Sequence, residues 1–299
     1  MSTRSYEAGT AIVRDGWLAR LRRARRTLDR LDWWRLDEWK DSDLWAFDDG
    51  EAALLIAPPD LDETAPLDMT RAGVAWLRWC AVADGVSLTA RLAAAFYAAE
   101  SRLASHGVRE VWCVIRPFEW IKPYLRDLGF RVADWLLIFE VQPECVSAKP
   151  SARIGLQVRP ACGADLAALC ALDAQAFDEP WRYPPALMRR ALAQSFAFAV
   201  AVHEGAPVGY ACAVLHEARG HIVRLAVRPD LRRRGIASEL LRGVVAQLAQ
   251  AGAHVVSLNT QTGNRPAQHL YRRLGFVPVD EKLTVMRRPL MHRTDQGRT

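Results

Sequence analysis

Between Val223 and Ala237 the chain reads VRLAVRPDLRRRGIA, and this stretch decides the fold. Its apolar start (Val223, Leu225, Ala226 and Val227, with Ile222 just before) predicts a strand. Arg228-Pro229-Asp230-Leu231 predicts a turn, Arg232-Arg233-Arg234-Gly235 a glycine-containing loop, and the run from Ile236 a helix. A loop that ends on a helix N-terminus is an anion site, because the first amides lack intrahelical partners and the helix dipole favours negative charge. Gly235 lets a phosphate approach the backbone, small Ala237 keeps the entry open, and the arginines add charge-assisted donors.

Downstream, Ile236, Leu240, Leu241, Val244, Val245 and Leu248 share one helical face, and Gly252 reads as the stop. Ala253–Leu258 predicts a strand. A second helix is expected to start near Asn264, carry Leu270 and Tyr271, and end at Gly275-Phe276. Leu225-Ala226-Val227, then Arg232-x-x-Gly235-x-Ala237, then Asn264-x-x-Ala267-x-x-x-Tyr271-x-x-x-Gly275-Phe276 resembles, in order and spacing, the acetyl-CoA-binding core of the GNAT superfamily of N-acetyltransferases.

That resemblance implies an α/β fold with a mixed sheet, acetyl-CoA as co-substrate and a primary amine as acceptor. It implies that backbone groups of Leu225, Ala226 and Val227, on a strand splayed from its neighbour, bond to the pantetheine arm and the thioester carbonyl. The amides of Arg233, Arg234, Gly235, Ile236, Ala237 and Ser238, with Arg232, would meet the pyrophosphate, and Asn264 and Ala267 would lie near the pantetheine. Tyr271 would be the general acid; a phenol of pKa about 10 is protonated at neutral pH and can donate towards a leaving thiolate.

The base is less defined. Acetyltransferases resembling those of ribosomal-protein N-termini carry a glutamate five residues before the asparagine, where this chain has Asn259, an amide that takes no proton. Enzymes resembling the histone acetyltransferases place a carboxylate on the strand before the loop, where this chain has His221. An imidazole of pKa about 6.5 suits a base, and a strand-end histidine near solvent is an equal reading. Glu217 and Glu179 are reserves. Without a strong carboxylate base the site leans towards α-amines of pKa about 8, because deprotonating a lysine at pH 7 costs about 3 to 5 kcal/mol.

The segment Ala176–Pro185 joins the first two helices of this half and, by the resemblance, lies over the acceptor. Its Phe177-x-x-Pro180-Trp181 string resembles the ribosomal-protein enzymes, and Trp181, Tyr183 and Glu179 are the candidate substrate contacts. A proline-rich loop anchored by Trp181 in the core is the competing reading. A tandem with its catalytic copy second also resembles mycothiol synthase.

The tandem is an internal repeat. Trp76–Val82, Leu88–Ala104, Val111–Ile115 and Tyr124–Phe130 parallel the elements between Val223 and Phe276, and Leu44–Ile56 reads as a hairpin with an Asp-Gly turn. In this first copy Ser87–Leu92 replaces the arginine loop and Leu125 stands in place of Tyr271, so it is expected not to bind acetyl-CoA. The expected architecture is two tandem GNAT-like domains, 1–148 without a cofactor loop and 153–292 catalytic, joined by the polar Gln142–Ala152. All but one of the 11 tryptophans lie in the first half, as core residues or as the lining of a substrate groove.

With 299 residues, 51% of them hydrophobic and no apolar run of membrane-spanning length, the chain reads as globular; the N-terminus lacks a signal-peptide pattern, and a cytoplasmic location is expected. The cysteines (Cys80, Cys113, Cys145, Cys162, Cys170, Cys212) are scattered without C-x-x-C spacing, so buried reduced thiols and no metal are expected. The net charge of +6 is nearly all arginine. The basic run Arg20–Arg30 is interleaved with Leu18, Leu21, Leu28 and Leu31, which predicts the solvated face of an amphipathic helix rather than a specific nucleic-acid site. A non-catalytic acyl-CoA sensor is the rival from another class.

Overall fold

The chain, described here by a computed structural model over residues 24–29, 45–48, 51–57, 73–105, 107–117, 119–146 and 155–290, divides into two units. One comprises residues 1–134 with 284–299, the other residues 135–283. The sequential split into 1–148 and 153–292 therefore differs from the compact units. The first unit takes a paired segment, residues 284–289, from the other half of the chain, whereas the second unit is continuous.

The first unit contains β1 (Arg26–Asp29), β2 (Trp45–Asp48), β3 (Ala52–Ala57), β4 (Gly73–Val82), α1 (Leu88–Ser105), β5 (Val108–Ile115) and α2 (Lys122–Asp127). The expected hairpin is present, with Trp45 opposite Ile56 and Asp48 opposite Ala53; residues 49 and 50 of its turn lie outside the described residues. Parallel strands need a crossover, and α1 supplies it between β4 and β5. Its Leu92, Phe96, Ala99 and Leu103 are buried, and Phe96 meets Phe130 edge-on at 5.4 Å. Residues 284–289 pair antiparallel with β5.

The basic segment departs from the expected helix. Arg26–Asp29 is extended because its backbone pairs with β4, and Leu28 is fully buried. Arg20, Arg22, Arg23 and Arg30 lie outside the described residues, as do Trp33, Trp34 and Trp39. Trp79 is core whereas Trp135 is half exposed.

The second unit uses residues 135–141 of β6 (Arg131–Val141), then β7 (Leu156–Pro160), α3 (Leu166–Ala176), α4 (Pro185–Gln194), β8 (Ala197–His203), β9 (Ala206–His216), β10 (Arg219–Val227), α5 (Ile236–Gln250), β11 (Val255–Gln261) and α6 (Arg265–Arg273), and ends within β12 (Val277–Pro289). Its strands pair in the order β6-β11-β10-β9-β8-β7, all antiparallel except β10 with β11. Successive side chains of a strand face opposite ways. Accordingly Ala199, Ala201 and Ala211 pack with α5, whereas Val200 and Tyr210 pack with Leu169 and Leu172 of α3 and Met188 of α4. The six apolar positions predicted for α5 are all buried.

The cysteines are free thiols, but only Cys80, Cys113 and Cys212 are fully buried; Cys145 and Cys162 are exposed, because they flank turns rather than strand interiors. Burial pushes the Cys212 thiol up to about 12, so it stays protonated. No helix among the described residues is long and apolar enough to cross a membrane, and no group of three or more His, Cys, Asp or Glu among them could hold a metal.

Candidate active site

The site begins where two parallel strands part. β10 pairs with β11 only from Arg219 to Ile222, opposite Val255 to Leu258, yet it pairs with β9 as far as Val227. β11 meanwhile pairs with β6 through to Gln261. From Val223 to Val227 one edge of β10 therefore has no strand partner among the described residues, and a wedge opens between β10 and β11. A β-bulge between Ile222 and Arg224 marks the parting and re-aims the strand. Ile222 joins the α5 side of the sheet, while Ala226, an even number of residues on, joins the α3–α4 side.

The first unit has the same parting, since β4 pairs with β5 only over Gly73–Trp76. There β3 holds one edge of Trp79–Val82 and β1 runs along the other, with Asp29 opposite Trp79 and Arg26 opposite Val82. A strand of the same chain fills that wedge. Its helix α1 also carries a weak cap of its own, the Ser87 hydroxyl accepting from the Ala90 amide at 3.5 Å.

At the mouth of the open wedge the chain turns through a short helical turn, Pro229–Leu231, pinned by buried Leu231. Arg233 (φ +62) and Gly235 (φ +81) are left-handed, which swings the backbone round into α5. No acceptor among the described residues reaches the amides of Arg233, Arg234, Gly235, Ile236 or Ala237, and the N-cap residue has no side chain to offer one. The Ser238 amide, expected to be sixth in that set, is taken by the Gly235 carbonyl at 3.0 Å. The Ser238 hydroxyl, by contrast, is buried without a partner. Arg232 holds the loop: its Nε donates to the Val227 carbonyl at 3.3 Å and Nη2 to the Ala176 carbonyl at 3.1 Å. Arg233 and Arg234 are exposed. Five unpartnered amides, an unpaired strand edge and an orphaned hydroxyl together fit the diphosphate and pantetheine of a coenzyme A thioester.

Tyr271 lies on α6, buried against Phe139 (5.6 Å, edge-on) and Phe276 (6.1 Å). Burial holds its phenol well above the ordinary range, so it remains a proton donor at any physiological pH. Asn264 caps α6, accepting from the Ala267 amide at 3.3 Å and donating to Thr260 at 3.0 Å. Both ends of its side chain are thus engaged within the protein. Asn259 is on β11 opposite Ile138.

His221 does not sit near solvent. It is buried on β10 with Nδ1 2.9 Å from the Ser257 hydroxyl, and burial, helped by nearby His216, lowers its pKa to about 3. An imidazole so weakly basic and so enclosed suits a packed strand position better than a base. Glu217 is exposed in the β9–β10 turn, at the end of β10 remote from the loop, about 26 Å of strand from Val227.

In the loop between α3 and α4, Glu179 is exposed and Trp181 and Tyr183 are half-buried. Sequence reading missed what holds this loop. Arg224 and Asp173 form a buried bidentate ion pair (Nε to Oδ2 2.9 Å, Nη2 to Oδ1 2.9 Å and to Oδ2 2.7 Å), and Tyr210 donates to the same carboxylate. Burial works against the charge of Arg224, but Tyr210 and Asp173 outweigh it and hold the guanidinium above its ordinary range. Burial is also the first cause raising the Tyr210 phenol. The available signal was a lone charge within each of two apolar runs, Arg224 within Ile222–Val227 and Asp173 in α3.

Residues 166–276 match the acetyltransferase (GNAT) family, and the chain carries a GNAT acetyltransferase domain over that stretch. Acetyl-CoA is that family's co-substrate. The chain is similar to the N-alpha-acetyltransferase MAK3 of Arabidopsis thaliana (41% identity over 59 residues, 20% of this chain and 31% of that protein). It is also similar to the mycothiol acetyltransferase of Pseudarthrobacter chlorophenolicus (37% over 65 residues, 22% of this chain and 20% of that protein). The matched stretches thus span a third or less of these relatives. In fold the chain is similar to a tandem GNAT protein from the clavulanic acid biosynthesis pathway (TM-score 0.59, 13% identity, 96% of this chain and 90% of that one). A GCN5-related N-acetyltransferase from Sphaerobacter thermophilus is similar over 81% of each chain (TM-score 0.56, 18% identity). The architecture is a tandem GNAT-like fold.

Proposed function

We propose that the second unit transfers an acetyl group from acetyl-CoA to a primary amine by direct attack in a ternary complex. One observation carries this reading: the unpaired edge of β10 leads into a loop whose five successive amides have no acceptor among the described residues. Those amides and the N-terminal dipole of α5 bind and orient a diphosphate. The β10 edge around Leu225 and Val227 bonds to an extended arm, and Arg232 braces the loop. Acetyl-CoA supplies the activated carbonyl. Tyr271, protonated throughout the working pH range, supplies a proton to the departing sulfur.

Neither His221 nor Glu217 suits the base, so the acceptor enters as the neutral amine or gives its proton to water. That requirement favours an amine of pKa about 8 over a lysine. A protein N-terminus stands slightly ahead of a small metabolite, and similarity to proteins named N-alpha-acetyltransferase and mycothiol acetyltransferase supports both classes. The first unit, its wedge filled by β1, takes no acetyl-CoA.

Isothermal titration with acetyl-CoA and release of free CoA over a panel of N-terminal peptides and small amines test the proposal. One site per chain and acceptor-dependent release are expected. Binding without release for any amine would support the second reading, an acyl-CoA sensor, which the enclosure of His221 favours. No binding would sink both.

A further inference from the structure

The segment Phe177–Tyr183 is fastened by one buried ion pair. The Arg224 guanidinium lies between the rings of Phe177 (3.6 Å) and Tyr183 (4.0 Å), and its Nη2 donates to the Trp181 carbonyl at 2.6 Å. Its partner Asp173 accepts from the Tyr183 amide at 2.7 Å through Oδ1. Both charged side chains are at least nine-tenths buried. The segment is thus gripped at Phe177, Trp181 and Tyr183 by groups rooted in α3 and β10. Arg224 immediately precedes Leu225, at the point where β10 leaves β11.

Stability alone does not call for this arrangement, because a buried ion pair is often no more stabilising than well-packed apolar residues of similar volume. What the pair supplies is geometry. A planar guanidinium presents fixed donors along its edges and two faces for stacking, and a lysine reproduces neither. All the groups involved lie on the α3–α4 side of the sheet, where Tyr210 and Ala226 pack.

We propose that Arg224 is a positioning residue: it holds Phe177–Tyr183 in the one shape against which the acceptor amine docks, and touches no reacting atom. This rests on the acetyltransfer reading and on that segment walling the acceptor. The test compares the full chain with Arg224→Lys, and with the neutral pair Asp173→Asn/Arg224→Met, which strands no buried charge if the lysine variant folds poorly. Hydrogen exchange of the peptide covering 177–183 is expected to quicken in both. Acetyl-CoA affinity is expected to stay within about twofold and kcat within about threefold, while KM for the acceptor rises about tenfold, equivalent to about 1.4 kcal/mol. Unchanged exchange in that peptide would overturn the proposal. So would a lowered Tm with KM for the acceptor unaltered, the mark of a merely structural pair. If the unsubstituted chain releases no CoA with any amine, the acetyltransfer reading falls and takes the proposal with it. If it turns over while Arg224→Lys leaves KM alone, only the proposal falls.

Discussion

His221→Asn isolates what it costs to keep an imidazole uncharged inside the sheet. In the folded chain this group has a pKa of about 3, against about 6.5 when exposed. Between those values the unfolded chain binds a proton that the folded chain refuses. Unfolding is then favoured as pH falls, with a slope of about 1.4 kcal/mol per unit. The contribution is complete above pH about 6.5 and drains away below it; by pH 4.5 about 3 kcal/mol is gone. Carboxylates titrate over the same range, so the informative quantity is the difference between the two proteins. Asparagine can keep a hydrogen bond to Ser257 and carries no proton. Urea unfolding at half-unit steps from pH 4.5 to 8 should give two curves separated by a constant above pH 6.5. Below it they should converge, or cross, as only the histidine protein loses stability to this site. Curves parallel over the whole range would refute the enclosure of His221 and reopen it as a base.

Tyr271→Phe removes a hydroxyl but keeps the packing against Phe139 and Phe276, so stability and acetyl-CoA affinity should hold while turnover drops by about 10²-fold; undiminished CoA release would remove Tyr271 from the mechanism. Gly235→Ala forces a Cβ onto a residue at φ +81 and should weaken acetyl-CoA binding by about tenfold or more, read by titration, with a stability loss of about 1 kcal/mol. Gly209→Ala and Gly220→Ala form a contrasting pair: the first would set a Cβ 2.9 Å from the Ala226 carbonyl, the second 2.7 Å from the movable Leu248 Cδ1. Thermal unfolding should show the Gly209 variant to be the more damaged, with acetyl-CoA affinity falling in that variant alone.

The geometry of the loop between β10 and α5 was legible because it is local. A strand end, a glycine at positive φ and an apolar helical face all lie within Val223–Leu248, and each follows from residues a few places apart. The pair Asp173–Arg224 was not, since 51 positions separate its members and a charge within an apolar segment does not name its partner. His221 carries the same lesson: strand position can be read from sequence, but the layers above it cannot. Arg26–Asp29 sits in a run that alternates arginine with leucine, a helical pattern by composition. Pairing with β4 overrides it, and such a contact leaves no local trace. The pairing of residues 284–289 with β5 is likewise a long-range choice of partner.

That short strand beside Trp79–Val82 amounts to a ligand that cannot diffuse away. Being part of the same polypeptide, it meets its cleft at an effective concentration set by the connecting chain rather than by supply, and on the proposed reading a thioester does not displace it. On the proposed reading, the first half of the molecule therefore stays indifferent to the acetyl-CoA that the second half consumes.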